Sequence, residues 1–144
     1  MKAPIYIAGA SAEWERVRDI ADHLEAHLHV TVYRWWDLGP LGMDGELSST
    51  EAGPIAASLA DAVRNASFVV LVQPREPTRG AWFEIGLAYG VQLARRPIVY
   101  ADGGQRQSVF EELLVRVDTL EQLCRLLWKS GVRKREGIRL SPRS

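Results

Sequence analysis

Short apolar runs along the chain alternate with longer segments in which apolar residues recur every three or four positions. Short runs bounded by glycine, proline or polar residues predict strands, and the spacing in the longer segments predicts amphipathic helices. Strands that alternate with helices are typical of a parallel sheet, because each parallel crossover needs a connection of this length. The predicted strands are residues 4–8, 30–33, 68–72, 97–100 and 115–117.

The predicted elements form one α/β domain, a doubly wound parallel sheet of about five strands between two layers of helices. A chain of 144 residues suits a single core. We assign residues 1–130 to this domain and residues 131–144 to a basic C-terminal tail. Ser11 is a candidate N-cap for the first helix, and Asp118 with Glu121 has the spacing of a capping box for the last.

Charge is balanced overall but is uneven along the chain. The 18 lysines and arginines match the 18 acids, so net charge gives no reason to expect a nucleic-acid or membrane partner. Residues 129–144 hold six basic side chains and one acid, which leaves 12 basic and 17 acidic residues in positions 1–128. We expect the tail to be solvated, with phosphate binding or subunit clamping as the alternative.

Cys124 is the only cysteine and lies on the apolar face of the last predicted helix, so we expect it in the core. A lone cysteine, no signal-peptide pattern and no apolar run near the ~20 residues of a membrane span predict a soluble, cytoplasmic protein. His23 and His27 are one helical turn apart, but no third ligand is near in sequence. We therefore predict no metal site there, and no cofactor.

Glu84 is the most unusual residue in the sequence. It is the one acid in positions 78–90, which read TRGAWFEIGLAYG and directly follow a buried strand. An unpaired buried carboxylate costs on the order of several kcal/mol, so we expect Glu84 to face a ligand cavity. The helix dipole favours its ionised form in the first turns. The alternative is that Glu84 pairs with Arg79 or Arg95 on a helix surface.

Three loops follow the carboxyl ends of predicted strands, where ligands bind in open α/β sheets. They are residues 8–11, 35–37 and 74–80. The first and third lead into helix N-termini, which favour anions. Neither a glycine-rich dinucleotide fingerprint nor a P-loop sequence is present, which argues against both of those enzyme classes. An exposed tryptophan in the second loop would offer a stacking surface for a flat ligand.

These features, in this order, resemble the nucleoside 2-deoxyribosyltransferase family, which includes the nucleoside 5′-monophosphate N-glycosidases. The likeness covers residues 4–102: the first strand with Gly9, the strand at 68–72, a Gly-x-x-x-Glu-x-Gly element at 80–86, and the strand after Arg96. The resemblance implies a flavodoxin-like sheet and a homo-oligomer. It also implies cleavage or transfer of the N-glycosidic bond of a (deoxy)nucleoside or nucleoside monophosphate.

The resemblance implies roles for individual positions. Glu84 would be the nucleophile that attacks C1′ of the sugar, and Tyr6 would orient it. Thr78 stands where the monophosphate hydrolases carry a phosphate-contacting serine, and Gly80 lacks a side chain that would keep a ligand away. The predicted substrate-binding residues are Gly9, Ser11, Trp36, Asp37, Thr78 and Gly80.

The chain also departs from the family pattern. Ser58 or Leu59 stands where family enzymes carry an aspartate, and Asp61 is two or three residues away. The first loop lacks the arginine common in the monophosphate hydrolases. Two other functions remain open: a Toll/interleukin-receptor-like NAD glycohydrolase, and a non-catalytic nucleotide-binding or assembly module of the same fold.

Overall fold

The computed structural model describes residues 3–38, 48–76, 78–91 and 95–137. Predictions that fall on the loop at 39–45, on Pro77 and on the tail beyond residue 137 lie outside the described residues. The helices are α1 (Trp14–His27), α2 (Ser49–Asn65), α3 (Gly80–Val91) and α4 (Leu120–Lys129). The strands are β1 (Tyr6–Ala8), β2 (Val69–Val72), β3 (Ile98–Tyr100) and β4 (Val115–Val117).

The four strands form one parallel sheet in the order β1-β2-β3-β4. Tyr6 lies opposite Val69, and Val70 lies opposite Ile98. Nearly every residue of these strands is buried, which is why they appear in the sequence as continuous apolar runs. In space α1 contacts α4 and α2 contacts α3, an arrangement consistent with a flavodoxin-like three-layer α/β/α fold. The predicted α/β class is confirmed.

The strand predicted at residues 30–33 is reduced to a single parallel bridge between Val32 and Ile5. Ile5 N–H donates to the Thr31 carbonyl at 2.8 Å, and Tyr33 N–H donates to the Ile5 carbonyl at 2.9 Å. The Val32 N–H donates to the Glu25 carboxylate at 3.0 Å, so this backbone donor at the open edge of the sheet is paired with a side chain and not with another strand. The sheet thus has four strands and a bridge rather than about five strands.

Two predicted helix caps differ in the structure. Ser11 begins a short 3-10 helix ahead of α1 and forms no side-chain cap. The capping box of α4 pairs Thr119 with Gln122, one residue later than predicted. Asp118 is engaged elsewhere, since its carboxylate accepts a bond from Arg116 at 2.8 Å.

Cys124 lies in the core as predicted, on the buried side of α4. Burial raises the pKa of its thiol to about 11, so the side chain is protonated and packs as a small apolar group. His23 and His27 stack on each other with ring centroids 4.1 Å apart. Among the residues that the structure describes, no helix has both the length and the hydropathy needed to cross a bilayer.

The glycine after β1 lets helix α1 pack closely against the strand. A Cβ atom at Gly9 would lie 2.6 Å from Cγ2 of Val17, a separation that real Cβ atoms do not show. Val17 is fully buried in the core, so it could yield only by displacing other core side chains. Gly9 is therefore required by packing between β1 and α1, whatever else it contacts.

We expect Gly9→Ala to destabilise the fold by about 1–3 kcal/mol, because the added methyl overpacks the core beside Val17. Gly86→Ala is the matched control, since a Cβ atom at this position in the middle of α3 would meet no neighbouring group within 4 Å. Alanine there should leave stability unchanged or raise it by up to about 1 kcal/mol. Urea unfolding of both variants measures the difference, and equal stabilities would contradict the packing role of Gly9.

Candidate functional site

A cavity of about 270 Å³ lies at the carboxyl edge of the sheet, between β1, α2 and α3. The loop after β1 contributes Ser11 to its lining, and the segment before α3 contributes Thr78. Helix α3 contributes Gly80, Phe83 and Glu84. Six of the predicted site residues therefore line one cavity: Tyr6, Gly9, Ser11, Thr78, Gly80 and Glu84.

The central contact of the cavity joins Tyr6 to Glu84. The Tyr6 hydroxyl donates a hydrogen bond to Oε2 of Glu84, linking the first strand to α3. Tyr6 is only 1% exposed, and its ring stacks on Tyr33 with centroids 5.8 Å apart. The phenol is thus held in place by packing on its ring and by the carboxylate at its tip.

Burial decides the charge of Glu84. Desolvation raises the pKa of its carboxyl group to about 7, and the hydrogen bond from Tyr6 opposes this shift without cancelling it. Burial and the nearby carboxylate also raise the pKa of Tyr6, so the phenol remains a donor at neutral pH. The direction of this pKa shift is opposite to the one expected from the helix dipole. Near neutrality, Glu84 is close to evenly divided between acid and carboxylate.

The surface pairing of Glu84 considered from the sequence is not formed. Within the described residues the hydrogen-bond partner of Glu84 is Tyr6, and no ion pair joins it to Arg79 or Arg95. Arg95 donates instead to the Ser67 carbonyl at 2.7 Å. An acid without a cation beside it retains the raised pKa.

The α2 side of the cavity is apolar. The residue that stands near the position of the family aspartate, Leu59, faces the cavity, whereas Ser58 is exposed. Asp61 is exposed on another face of the helix, where it pairs with Arg64 at 3.2 Å. The residues that α2 contributes are Ala52, Ile55, Ala56, Leu59 and Ala60.

Trp35 lines the cavity, whereas the sequence had suggested Trp36 and Asp37. Trp35 is buried and its Nε1–H donates to the Ile7 carbonyl at 2.7 Å, which fixes the indole against β1. Trp36 packs edge-on against Trp35 with ring centroids 5.3 Å apart and lies under Arg34. Neither Trp36 nor Asp37 is among the described lining residues. Adjacent residues of a tight 3-10 turn point in different directions, so only one indole reaches the cavity.

Sequence reasoning also missed the α2 wall and Phe83. The α2 residues repeat at three- and four-residue steps, which is also the signal of an ordinary core-facing stripe. Phe83 precedes Glu84 and lines the cavity although 70% of it is exposed. Exposure of a large aromatic side chain at a cavity mouth depends on tertiary packing.

No protein-family model matches the chain, and the curated proteins include no match to it. The chemistry that the cavity supports follows from its groups. A carboxylate with a pKa near neutrality is suited to act as a nucleophile or as an acid–base group. Most of the described lining residues are apolar, and two of them, Ser11 and Thr78, carry aliphatic hydroxyl groups.

We expect the ¹³C resonance of the Glu84 carboxyl carbon to titrate with a midpoint of about 7, because the group is desolvated. In Tyr6→Phe the midpoint should rise further, since the bond that favours the carboxylate is lost. Glu51 is a suitable internal reference, because hydrogen bonds from Ser48 lower the pKa of this exposed carboxyl group. A Glu84 midpoint near 4.5, the ordinary value, would contradict its burial.

The pH dependence of the unfolding free energy provides an independent check on this titration. The pKa of Glu84 is higher in the folded chain than the ordinary 4.5, so protonation stabilises the fold. That contribution is complete below pH 4.5 and is lost as the pH rises through about 7. Glu84→Gln should remove this part of the pH dependence of the unfolding free energy, since the amide does not titrate.

Proposed function

We propose that this protein cleaves or transfers the N-glycosidic bond of a (deoxy)nucleoside or nucleoside monophosphate, with Glu84 as the nucleophile. The supporting observation is the Tyr6–Glu84 hydrogen bond inside a largely apolar cavity at the carboxyl edge of the sheet. A desolvated carboxylate held by one phenol is suited to attack an electrophilic sugar carbon. The resemblance of the motifs around Gly9, Gly80 and Glu84 to the deoxyribosyltransferase family points to the same reaction.

In the proposed reaction the ionised Glu84 attacks C1′ of the sugar. Tyr6 occupies Oε2, so Oε1 is the attacking oxygen. The new bond joins Oε1 to C1′, and the C1′–N bond breaks with its electron pair leaving on the base, which takes a proton from solvent. Water then hydrolyses the glycosyl ester and restores the carboxylate. In a transferase, a nitrogen of a second base attacks C1′ instead and loses its proton.

The size of the cavity supports a nucleoside over a dinucleotide. At about 270 Å³ the described part of the cavity is just below the usual range of small-molecule pockets, which begins near 300 Å³. One base and one sugar suit this volume, whereas NAD carries two of each. The NAD glycohydrolase alternative is therefore the weaker of the two glycosidase proposals.

The polar groups of the cavity support a neutral ligand or a single phosphate. Ser11 and Thr78 line it, and no lysine or arginine does so among the described residues. A monophosphate would depend on these hydroxyls and on the N–H groups at the start of α3. A neutral nucleoside needs no cation, so the structure supports nucleosides at least as well as nucleotides.

One observation favours a second candidate, a non-catalytic nucleotide-binding module. The α2 wall carries Leu59 where a second carboxylate would assist sugar binding and catalysis, and Asp61 is turned away. A cavity with one acid and apolar walls is sufficient to bind a base and a sugar. Binding without turnover would distinguish this candidate from the enzyme.

We expect the protein to release free base from a deoxynucleoside or its monophosphate, and Glu84→Gln to lower kcat at least about a thousandfold, because the nucleophile is lost. Tyr6→Phe should lower kcat about tenfold, the effect of losing one hydrogen bond. The rate should rise with pH through about 7 as Glu84 ionises. Chromatography of the base and mass spectrometry of a glycosyl adduct on Glu84 measure these outcomes.

Three results discriminate among the candidates. Base release that persists in Glu84→Gln would rule out the proposed nucleophile. Nucleoside binding without base release, in the presence and absence of an acceptor base, would favour the binding module. Release from NAD but from no nucleoside or nucleotide would favour the glycohydrolase. Thr78→Val distinguishes the two substrate classes, because it should weaken the binding of a monophosphate more than the binding of a nucleoside.

We also propose that the protein forms a homo-oligomer, and the supporting observation is the exposed apolar surface of α3. Glu84 is the only charged residue of this helix, and its apolar side chains are exposed as well as buried. Exposed fractions reach 70% for Phe83, 42% for Tyr89 and 45% for Val91. A helix that is apolar all round is normally covered on all sides. Because Phe83 also lines the cavity, a second copy packed on this face would cover its mouth.

We expect Tyr89→Lys to convert the oligomer into monomers, because a charge would be buried in the proposed contact. Tyr89 is absent from the described lining of the cavity, so its substitution tests assembly and not ligand contact. Phe110→Lys is the matched control, since Phe110 is 65% exposed on a different part of the surface. Sedimentation velocity measures both variants. A monomeric parent protein, or equal effects of the two substitutions, would contradict the assignment to α3.

A further inference from the structure

A second cavity, of about 490 Å³, lies at the amino edge of the sheet, around the residues that precede β1 and β2. Its walls include Ala3, Phe68 and the segment after α4. Four of its described lining residues have ionisable side chains, and none of the four is acidic: His29, Arg95, Arg133 and Arg135. The candidate site at the opposite edge has an acid and no described cation, so the two cavities have opposite chemistry.

The strand-like pairing of the segment after α4 places two of these arginines on one side. Lys134 forms an antiparallel bridge with Leu28, His29 N–H donates to the Arg133 carbonyl at 2.7 Å, and Arg135 N–H donates to the His27 carbonyl at 3.0 Å. Alternate residues of an extended segment face the same side. Arg133 and Arg135 accordingly line the cavity, while Lys134 lies over the Trp128 ring at 5.1 Å.

Two guanidinium groups are held in place by contacts that use only part of their donors. Arg95 stacks over Phe68, 4.1 Å from the ring centroid, and donates through Nη1 to the Ser67 carbonyl. Arg135 donates through Nε to the Glu25 carbonyl at 2.6 Å. A guanidinium has five N–H donors, so each retains several that these bonds do not use. Such fixed forks are suited to paired phosphate oxygens.

These three arginines differ from several others in the described part of the chain, because no described carboxylate forms an ion pair with them. Seven arginines elsewhere in the described part of the chain form ion pairs with carboxylates. None of Arg95, Arg133 and Arg135 does so within the described residues. In a chain with as many acids as bases, three such arginines around one cavity mark a concentration of positive charge.

We propose that the amino-edge cavity binds a diphosphate group, either as free pyrophosphate or as the diphosphate of a nucleotide. Arg133 and Arg135 contact one side of the group and Arg95 contacts the other. The volume of about 490 Å³ accommodates the diphosphate together with an attached nucleoside. This site is separate from the Glu84 cavity and does not depend on its proposed activity.

Inorganic pyrophosphate is the first probe, titrated into the full chain by calorimetry and followed by ¹H–¹⁵N spectra. We expect one saturable site, with amide shifts in residues 29–31, 67–68 and 130–135. Arg133→Glu should weaken binding at least tenfold, because it reverses a charge inside the cavity. Arg133 makes no side-chain hydrogen bond or ion pair with the described residues, so the substitution should leave the fold intact. Thermal unfolding checks this.

Arg18→Glu is the matched control, since it makes the same charge change on the exposed face of α1. It should leave pyrophosphate affinity within about twofold at the same ionic strength. ADP that competes with pyrophosphate, while adenosine does not, would identify a nucleotide diphosphate. ADP that fails to compete would identify the free anion. No saturable binding, equal losses in both charge-reversal variants, or shifts confined to residues 11 and 78 would overturn the proposal.

Discussion

The hydrogen bond between Tyr6 and Glu84 is the interaction on which the candidate site depends. It connects the first strand to α3 and gives a desolvated carboxyl group its donor among the described residues. Losing the phenol would leave that carboxyl group buried without this bond, at a cost of about 1–3 kcal/mol. The same burial that costs stability brings the pKa of Glu84 to about 7, where both protonation states are accessible. Desolvation of the Glu84 carboxyl group is thus the common cause of the lost stability and of the shifted pKa.

The carboxyl edge that carries Glu84 is supported by a second buried polar cluster beside β2. Gln73 follows that strand and is 4% exposed, and its amide donates to the Glu111 carboxylate at 2.7 Å and to the Gln105 carbonyl at 3.0 Å. A Cβ at Gly104 would lie 2.1 Å from Oε1 of Gln73, so glycine is needed for this approach. These bonds satisfy buried polar groups and tie the ends of β2 and β3 to the chain that follows.

The distribution of charge gives the two edges of the sheet different capacities. At the carboxyl edge the desolvated Glu84 has no cation beside it among the described lining residues. At the amino edge Arg133 and Arg135 line the same cavity as Arg95, which favours anions. The balance of 18 acids and 18 bases conceals this separation.

The α/β class, the positions of β2, α3 and α4, and the location of Glu84 on α3 could all be predicted from the sequence, because apolar periodicity is a local signal. The sequence placed Tyr6 near Glu84 through a family resemblance, and the folded chain brings the two together across 78 positions. Three outcomes could be seen only in the folded chain. Residues 30–33 form a single bridge and not a strand, and Trp35, not Trp36, lines the cavity. Leu59, and not Asp61, faces the cavity from α2. Those outcomes depend on how a turn or helix is rotated against the sheet. Rotating a helix by one residue position, about 100°, changes which side chains face the cavity, although the apolar pattern of the sequence stays the same.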